Sequence, residues 1–308
     1  MPCTSAFDGF VEAFQIRCNE PAAEAAIAEV EKRVRVELPP GLRKHFLTCN
    51  GGTPQGRRSN LTLYSLEEAM AYEQVPGFMD SSWRYFPVAE NNDSNPICVC
   101  CGSPLVGYVV QVRHDDGPRL AFRSLDGFFS SANKSLGRGH GFETESLATD
   151  FEGPNRLDAD VAIARRLLEV GGDERSDALR FACDLLPDSA LSALGEILHG
   201  GDEYVCEKVT GRLKRIPGAE AKKLLDQTSD DFDAFVERCA AALGKAGIRT
   251  SVVVEYGKKT IGVGSAPVWL NMEMFFGRRN CAFGVLGGGD HAVTGIVLDE
   301  IFECLGEL

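Results

Sequence analysis

The stretch I-A-E-V-E-K-R-V-R-V-E-L-P-P-G-L-R-K-H-F-L-T-C-N-G-G, residues 27 to 52, decides how the chain begins to fold. Before the pair Pro39-Pro40, apolar side chains recur every three or four residues among charged ones, which predicts an amphipathic helix over 22 to 35. A proline pair cannot continue a helix interior but suits the first turn of a new helix. A second helix is therefore expected from Pro40 to the turn at Asn50 and Gly51.

Strand patterns follow this pair of helices. Residues 61 to 64 alternate like a short strand, and Ser65 with Glu68 forms a capping-box pattern that predicts a helix. Ser124 is the expected start of a closing helix. Between these helices, turn-rich stretches separate four apolar segments that predict an antiparallel meander: Y-F-P-V-A, I-C-V-C-C, G-Y-V-V-Q-V-R and R-L-A-F-R.

This ordered set of segments, over residues 20 to 137, resembles the SUKH superfamily, which includes the fungal cell-wall assembly regulator and many bacterial toxin-immunity proteins. The resemblance implies an α+β domain in which an antiparallel sheet with flanking helices binds another protein. The turn where family members often carry a Gly-Asp pair reads N-N-D-S-N here. The matching positions are Ile27, Glu31, Leu38, Pro39, Phe46, Leu47, Asn50, Gly51, Trp83 before F-P-V-A, the turn at 91 to 95, the strand at 107 to 112, and S-L-D-G-F-F.

The chain is expected to contain three domains. Residues 1–150 form the SUKH-like α+β binding domain, and a polar linker lies at 137 to 156. Residues 151–228 hold five short helical segments with regular breaks, which predicts a HEAT-like repeat region. Residues 229–308 predict a small α+β domain with a helical stripe over 232 to 243, a hairpin over 250 to 263, two further strands and a closing helix capped by Asp290.

Composition and charge limit the classes of function. The 308 residues are 44% hydrophobic and 25% charged, as in an ordinary folded protein, and the net charge is −13. Acidic residues are in excess both before and after residue 150, which disfavours direct nucleic-acid binding and permits a basic protein partner. Eleven scattered cysteines and the lack of an export or membrane-spanning pattern favour the cytoplasm.

The sequence predicts a protein that is not an enzyme and holds no cofactor. It contains no H-E-x-x-H, G-x-S-x-G or phosphate-binding loop pattern, and its five histidines lie far apart. Cys98, Cys100 and Cys101 come nearest to a metal site. On a strand the first two point to one face and Cys101 to the other, and no second pair completes a tetrahedral set. They are therefore interpreted as buried strand residues, with no metal bound.

The candidate partner-binding residues are Trp83, Glu90, Asp93, Asp115 and Asp116. The four carboxylates are expected at turns and strand ends of the sheet, as an acidic rim around Trp83, whose large ring is typical of an interface anchor. Two alternatives stay open: Trp83 is a core residue, and the acidic turns are only solvated.

The resemblance implies an immunity protein that neutralises a cognate toxin by direct binding, and the acidic surface suits a basic toxin domain such as a nuclease. One alternative is a regulatory or scaffold adaptor that uses the SUKH and helical-repeat surfaces. A further alternative places a divergent enzyme in the C-terminal segment, with Asp290, His291 or Glu300 as candidate groups.

Overall fold

A computed structural model describes residues 5–55, 61–75, 77–90, 95–113, 117–137, 147–201, 203–226, 241, 250–255, 258–265, 268–274 and 281–286. Contacts divide the chain into two units, Met1–Ser189 and Ala190–Leu308. The domain boundaries expected at residues 150 and 228 stay predictions. Among the residues just given, no helix is both long enough and apolar enough to cross a bilayer.

Two helices of the first unit, the first and the fourth, begin at a capping box. Ser5 and Asp8 form a capping box at the start of the first helix, and the predicted box of Ser65 with Glu68 is confirmed. The predicted helices before and after the proline pair are also confirmed. The bounds are α1 Ala6–Phe14, α2 Glu24–Val34, α3 Pro40–Thr48, α4 Leu66–Met70, α5 Leu125–Gly137, α6 Asp158–Leu168 and α7 Arg175–Leu185.

Two of the positions that carry the family resemblance, Glu31 and Gly51, have identifiable structural roles next to the first helices. The Glu31 carboxylate accepts hydrogen bonds from the backbone N–H of Leu38 at 3.0 Å and from Arg43 Nη1 at 2.9 and 2.8 Å. This carboxylate therefore ties α2 to the turn and to α3. At the end of α3, Gly51 has a φ of +83°, and a Cβ there would lie 2.5 Å from the backbone nitrogen of Ser65. Only glycine fits this close approach.

The first unit contains a seven-stranded antiparallel sheet whose strands follow one another in chain order. The strand at 61 to 64 and the four-stranded meander are confirmed. Helix α1 was not predicted from the sequence. The first two strands were not predicted either, because strands of three residues are too short to show an alternating pattern. The bounds are β1 Ile16–Cys18, β2 Gly52–Pro54, β3 Thr62–Leu63, β4 Tyr85–Glu90, β5 Ile97–Cys100, β6 Val109–Arg113 and β7 Gly117–Phe122.

One face of the sheet packs against α1 to α5. This core contains the strand residues Phe86, Val99 and Val109 together with aromatic side chains of the helices, such as Phe46 and Phe128. The aromatic contacts continue from α1 to α5, where the rings of Phe10 and Phe129 lie 4.9 Å apart between centroids. The unpredicted helix α1 is thus an integral part of the core.

His45 belongs to this aromatic core. Its ring lies 5.2 Å from that of Phe7, edge to face, and 5.7 Å from that of Phe129. The residue is 6% exposed, and burial lowers its pKa from 6.5 to about 4. The imidazole is therefore neutral at pH 7.

The opposite face of the sheet is covered by α6 and α7. Because side chains alternate along a strand, the neighbours of the core residues Phe86 and Val99 point to this second face. They include Tyr85, Cys98 and Cys100, which are also buried. Burial on both faces explains why I-C-V-C-C reads as a continuous apolar run rather than an alternating one.

An ion pair fixes α6 on this face. Asp160 is 0% exposed, and its carboxylate accepts Arg123 Nε at 3.0 Å and Arg123 Nη2 at 2.6 Å. The Tyr108 hydroxyl donates to it at 2.9 Å and the Leu157 N–H at 3.0 Å. Burial works to raise the pKa of Asp160, but the hydrogen bonds from Arg123, Leu157 and Tyr108 outweigh it and lower the pKa.

The second unit contains helices α8 Leu191–Gly200 and α9 Glu203–Leu213, and residues 219–226 are helical. A HEAT-like arrangement of these segments stays a prediction. The expected hairpin and the two further strands are confirmed in an antiparallel sheet of order β11-β10-β9-β8, with bounds β8 Thr250–Glu255, β9 Lys258–Ser265, β10 Val268–Met274 and β11 Cys281–Leu286. Of the expected helix at 232 to 243 only residue 241 is described, and it is helical, whereas the expected helix after Asp290 lies outside the described residues.

Replacing the buried carboxylate should destabilise the first unit. Asp160→Asn leaves the guanidinium of Arg123, itself only partly exposed, without its counterion, and we expect a loss of about 3 kcal/mol in the free energy of unfolding. Asp158→Asn, an exposed change in the same first turn of α6, is the matched control and should cost less than about 0.5 kcal/mol. Urea denaturation measures both, and equal losses would contradict this role of Asp160.

Acid should destabilise the first unit through His45. Its folded pKa of about 4 lies below the ordinary 6.5, so the unfolded chain binds the proton more readily and stability falls as the pH drops through this range. Between pH 7.5 and pH 5 this proton binding should lower the free energy of unfolding by about 2 kcal/mol. The substitution His45→Phe removes this pH-dependent loss. Denaturation of both proteins at the two pH values isolates this contribution, and an equal pH dependence in the two would rule it out.

Candidate functional site

Of the four carboxylates predicted to form an acidic rim, Glu90 is the one among the described residues, and it ends β4. The Tyr72 hydroxyl donates a hydrogen bond to the Glu90 carboxylate at 3.3 Å, and the hydroxyls of Tyr64 and Tyr72 lie 2.9 Å apart. Burial raises the pKa of both tyrosines, so these phenols remain protonated donors. Glu90 is therefore a half-buried carboxylate held in place by tyrosine hydroxyls.

Asp93, Asp115 and Asp116 lie outside the described residues. The strands to which they connect are described, and their direction in the meander is informative. The end of β4, the start of β5, the end of β6 and the start of β7 all lie at one end of the sheet, because each strand is antiparallel to the next. The chain segments that carry the three aspartates are joined to the same end of the sheet as Glu90.

Trp83 is not near Glu90. It precedes β4, whereas Glu90 ends it, and a six-residue strand is about 20 Å long. The Trp83 side chain is 1% exposed and lies beneath α7, where its ring meets that of Phe181 edge to face at 5.6 Å. Its indole could touch a partner only if α7 moved away from the sheet.

Cys98 and Cys100 on β5, and Cys101 directly after it, are buried thiols, as expected. The Sγ atoms of Cys98 and Cys101 lie 3.8 Å from backbone carbonyl oxygens, and burial raises the pKa of all three thiols, to about 12 for Cys101. Such thiols stay protonated, whereas metal ligation needs thiolates. Within the described part of the chain, no group of three or more His, Cys, Asp or Glu side chains is placed to hold a metal ion.

A cavity of about 340 Å³ lies where α1, α3 and α5 meet. Its walls combine aromatic rings with charged side chains, and one wall is the buried His45. Neither ring nitrogen of His45 has a hydrogen-bond partner in the structure. The lining residues that matter chemically are Phe7, Asp8, Lys44, His45, Asp126 and Phe129.

The charged groups of this cavity are exposed at its edge. Asp8 and Asp126 each lie in the first turn of a helix, and Lys44 lies on α3. The structure records no ion pair between the Lys44 ammonium and any described carboxylate. Sequence reasoning missed this site because its residues come from three separate segments, and because the far-apart histidines gave His45 no visible chemical partner.

Comparison with known proteins identifies the domain that carries these features. Residues 21–131 match the model of the SMI1 / KNR4 family (SUKH-1). A search of curated proteins finds no match to the chain. The matched segment includes α2, α3, α4 and β2 to β7, whereas α1, β1, α6 and α7 lie outside it. The predicted resemblance is confirmed, and residues 21–131 of this chain form a domain of the SMI1/KNR4 family (SUKH-1).

Proposed function

We propose that this protein is a cytoplasmic immunity protein that neutralises a cognate toxin by direct binding and does no chemistry of its own. The observation that carries the proposal is the SMI1/KNR4 domain at residues 21–131. This family suggests an immunity or cell-wall regulatory module, and its members are generally not enzymes. Of these two roles, the immunity role accounts better for the strong acidity of the chain, because a basic toxin domain is its natural complement.

The proposed contact surface is the end of the sheet where β4 ends and β7 begins. Glu90 lies there, and the segments carrying Asp93, Asp115 and Asp116 connect to it. Both faces of the central strands are covered by helices, so loops and strand ends are the parts of the sheet that a partner can reach. Trp83 contributes to the contact only if α7 leaves the sheet, and it otherwise supports the domain from within.

Binding at this surface would occlude the toxin and be accelerated by charge. Carboxylates at one end of the sheet attract a basic domain over a distance of about one Debye length, which is roughly 8 Å at physiological ionic strength. The association rate should therefore depend strongly on salt, while short-range contacts set the lifetime of the complex.

The main alternative is a regulatory adaptor, which the cell-wall regulatory side of the family suggests. Its docking surfaces would be the family domain and the helices after residue 150. Gene neighbourhood separates the two hypotheses, since an adjacent toxin gene favours immunity. A divergent enzyme in the C-terminal segment would depend on Asp290, His291 or Glu300, which lie outside the described residues.

The direct test mixes the purified full chain with toxin domains encoded beside its gene and measures complex formation and toxin activity. We expect a one-to-one complex that suppresses the activity. Replacing Glu90, Asp93, Asp115 and Asp116 together by their amides should slow association about tenfold at low salt, with a smaller effect at high salt.

Glu67→Gln provides the control, because it removes one exposed carboxylate from α4. It should leave the association rate nearly unchanged. Absence of a complex with any neighbouring toxin would refute the immunity proposal. An association rate insensitive to the four amide substitutions would refute the contact surface alone.

A further inference from the structure

The cavity between α1, α3 and α5 is lined by a buried side chain, His45, that forms no hydrogen bond through its ring nitrogens. His45 is 6% exposed and lines the cavity, yet neither of its ring nitrogens has a partner. A neutral imidazole has one N–H donor and one acceptor nitrogen, and burial of such groups without partners costs free energy. The cavity of about 340 Å³ is large enough for a planar side chain, and because both ring nitrogens are buried, a neighbouring side chain must move before a group in the cavity can pair with them.

The charges around the cavity favour a cation. With His45 neutral, two carboxylates, Asp8 and Asp126, oppose one ammonium, Lys44. The helix N-termini at the cavity are already capped, because Ser5 Oγ accepts the Asp8 N–H at 3.1 Å and Ser124 Oγ accepts the Gly127 N–H at 3.2 Å. An anion would meet a carboxylate at each of these helix ends, so anion binding is disfavoured.

The aromatic rings favour a flat cation over a compact one. The centroids of Phe7 and Phe129 lie 5.0 Å apart, and the ring of His45 lies 5.2 Å from that of Phe7. A guanidinium is planar, carries five N–H donors and stacks on aromatic faces, whereas an ammonium is a compact, strongly hydrated charge. A purely apolar side chain would leave the imidazole without a partner and would not use the two exposed carboxylates.

We propose that this cavity binds the side chain of an arginine residue inserted by a basic partner protein. The guanidinium stacks against the aromatic wall, pairs with the carboxylates of Asp8 and Asp126, and donates to the acceptor nitrogen of His45. Phe7, which is only half-buried, changes rotamer to open the way to this nitrogen. The proposal rests on the proposed function and deepens it by naming the side chain that the partner supplies.

The cavity is not a feature of the family domain alone. Phe7 and Asp8 lie on α1, which precedes the matched segment 21–131, whereas Lys44, His45, Asp126 and Phe129 lie within it. The N-terminal helix therefore completes a site that the domain would otherwise leave open on one side. Recognition of arginine would be specific to chains that carry such a helix.

The test titrates the full chain with a blocked Gly-Arg-Gly peptide and follows the His45 ring and nearby amides by NMR. We expect saturable shifts with a Kd of roughly 1 mM, as suits a single side chain. The same peptide with citrulline, which keeps the shape and loses the charge, should bind about fivefold more weakly. A leucine peptide should bind more weakly still.

Three variants test whether the charge at the edge of the cavity controls binding of the arginine peptide. Asp126→Asn should weaken binding about threefold, and Lys44→Met should tighten it by a similar factor, because each changes one unit of charge at an exposed position. Asp158→Asn, the same change in the first turn of α6, is the matched control and should have no effect. All three positions are exposed, so the variants should keep the fold.

Several outcomes would overturn the proposal. Citrulline or leucine peptides that bind as tightly as the arginine peptide would show that charge is irrelevant, and weaker binding by Lys44→Met would show that the cavity prefers anions. If the NMR signals of the His45 ring do not shift during the titration, the arginine side chain does not bind in this cavity. The peptide titration needs no toxin, so its failure would leave complex formation with a toxin untouched, and the converse also holds.

Discussion

The ion pair between Arg123 and Asp160 is the contact on which the arrangement of the first unit depends. Arg123 lies between the end of β7 and the start of α5, and its guanidinium also donates to the backbone carbonyl of Asp150. Because Asp160 is fully buried, its charge is tolerated only while this partner and the hydrogen bonds of Tyr108 and Leu157 are in place. The contact therefore selects one position for α6 on the sheet.

This position determines which surfaces are left for recognition. With α6 and α7 on one face and α1 to α5 on the other, the central strands lie in the middle of three layers, and Trp83 lies inside the molecule beneath Phe181. A partner can reach the strand ends, the turns and the outer surfaces of helices. Recognition residues are often found on loops and strand ends that a rigid scaffold holds in place, and Glu90, at the end of β4, fits that pattern.

The two proposed recognition elements act over different distances. Carboxylates at one end of the sheet influence the approach of a basic partner, and the cavity at His45 acts only on a side chain that has arrived. The core that holds the cavity also keeps His45 neutral, because burial opposes its protonated form. A neutral ring can accept a hydrogen bond from a guanidinium, which a protonated ring could not do.

The sequence alone determined the family domain, most element boundaries within it and the hairpin near residue 256, because these depend on local periodicity, caps and turns. It placed Glu31, Leu38 and Gly51 in a motif without saying that a carboxylate ties two helices or that a Cβ would meet the backbone. Only the tertiary structure decided that Trp83 is covered by α7, that Asp160 pairs with Arg123, and that α1, α3 and α5 enclose His45. These contacts join residues 37 to 98 positions apart, and no local pattern encodes which distant segment will meet a given side chain.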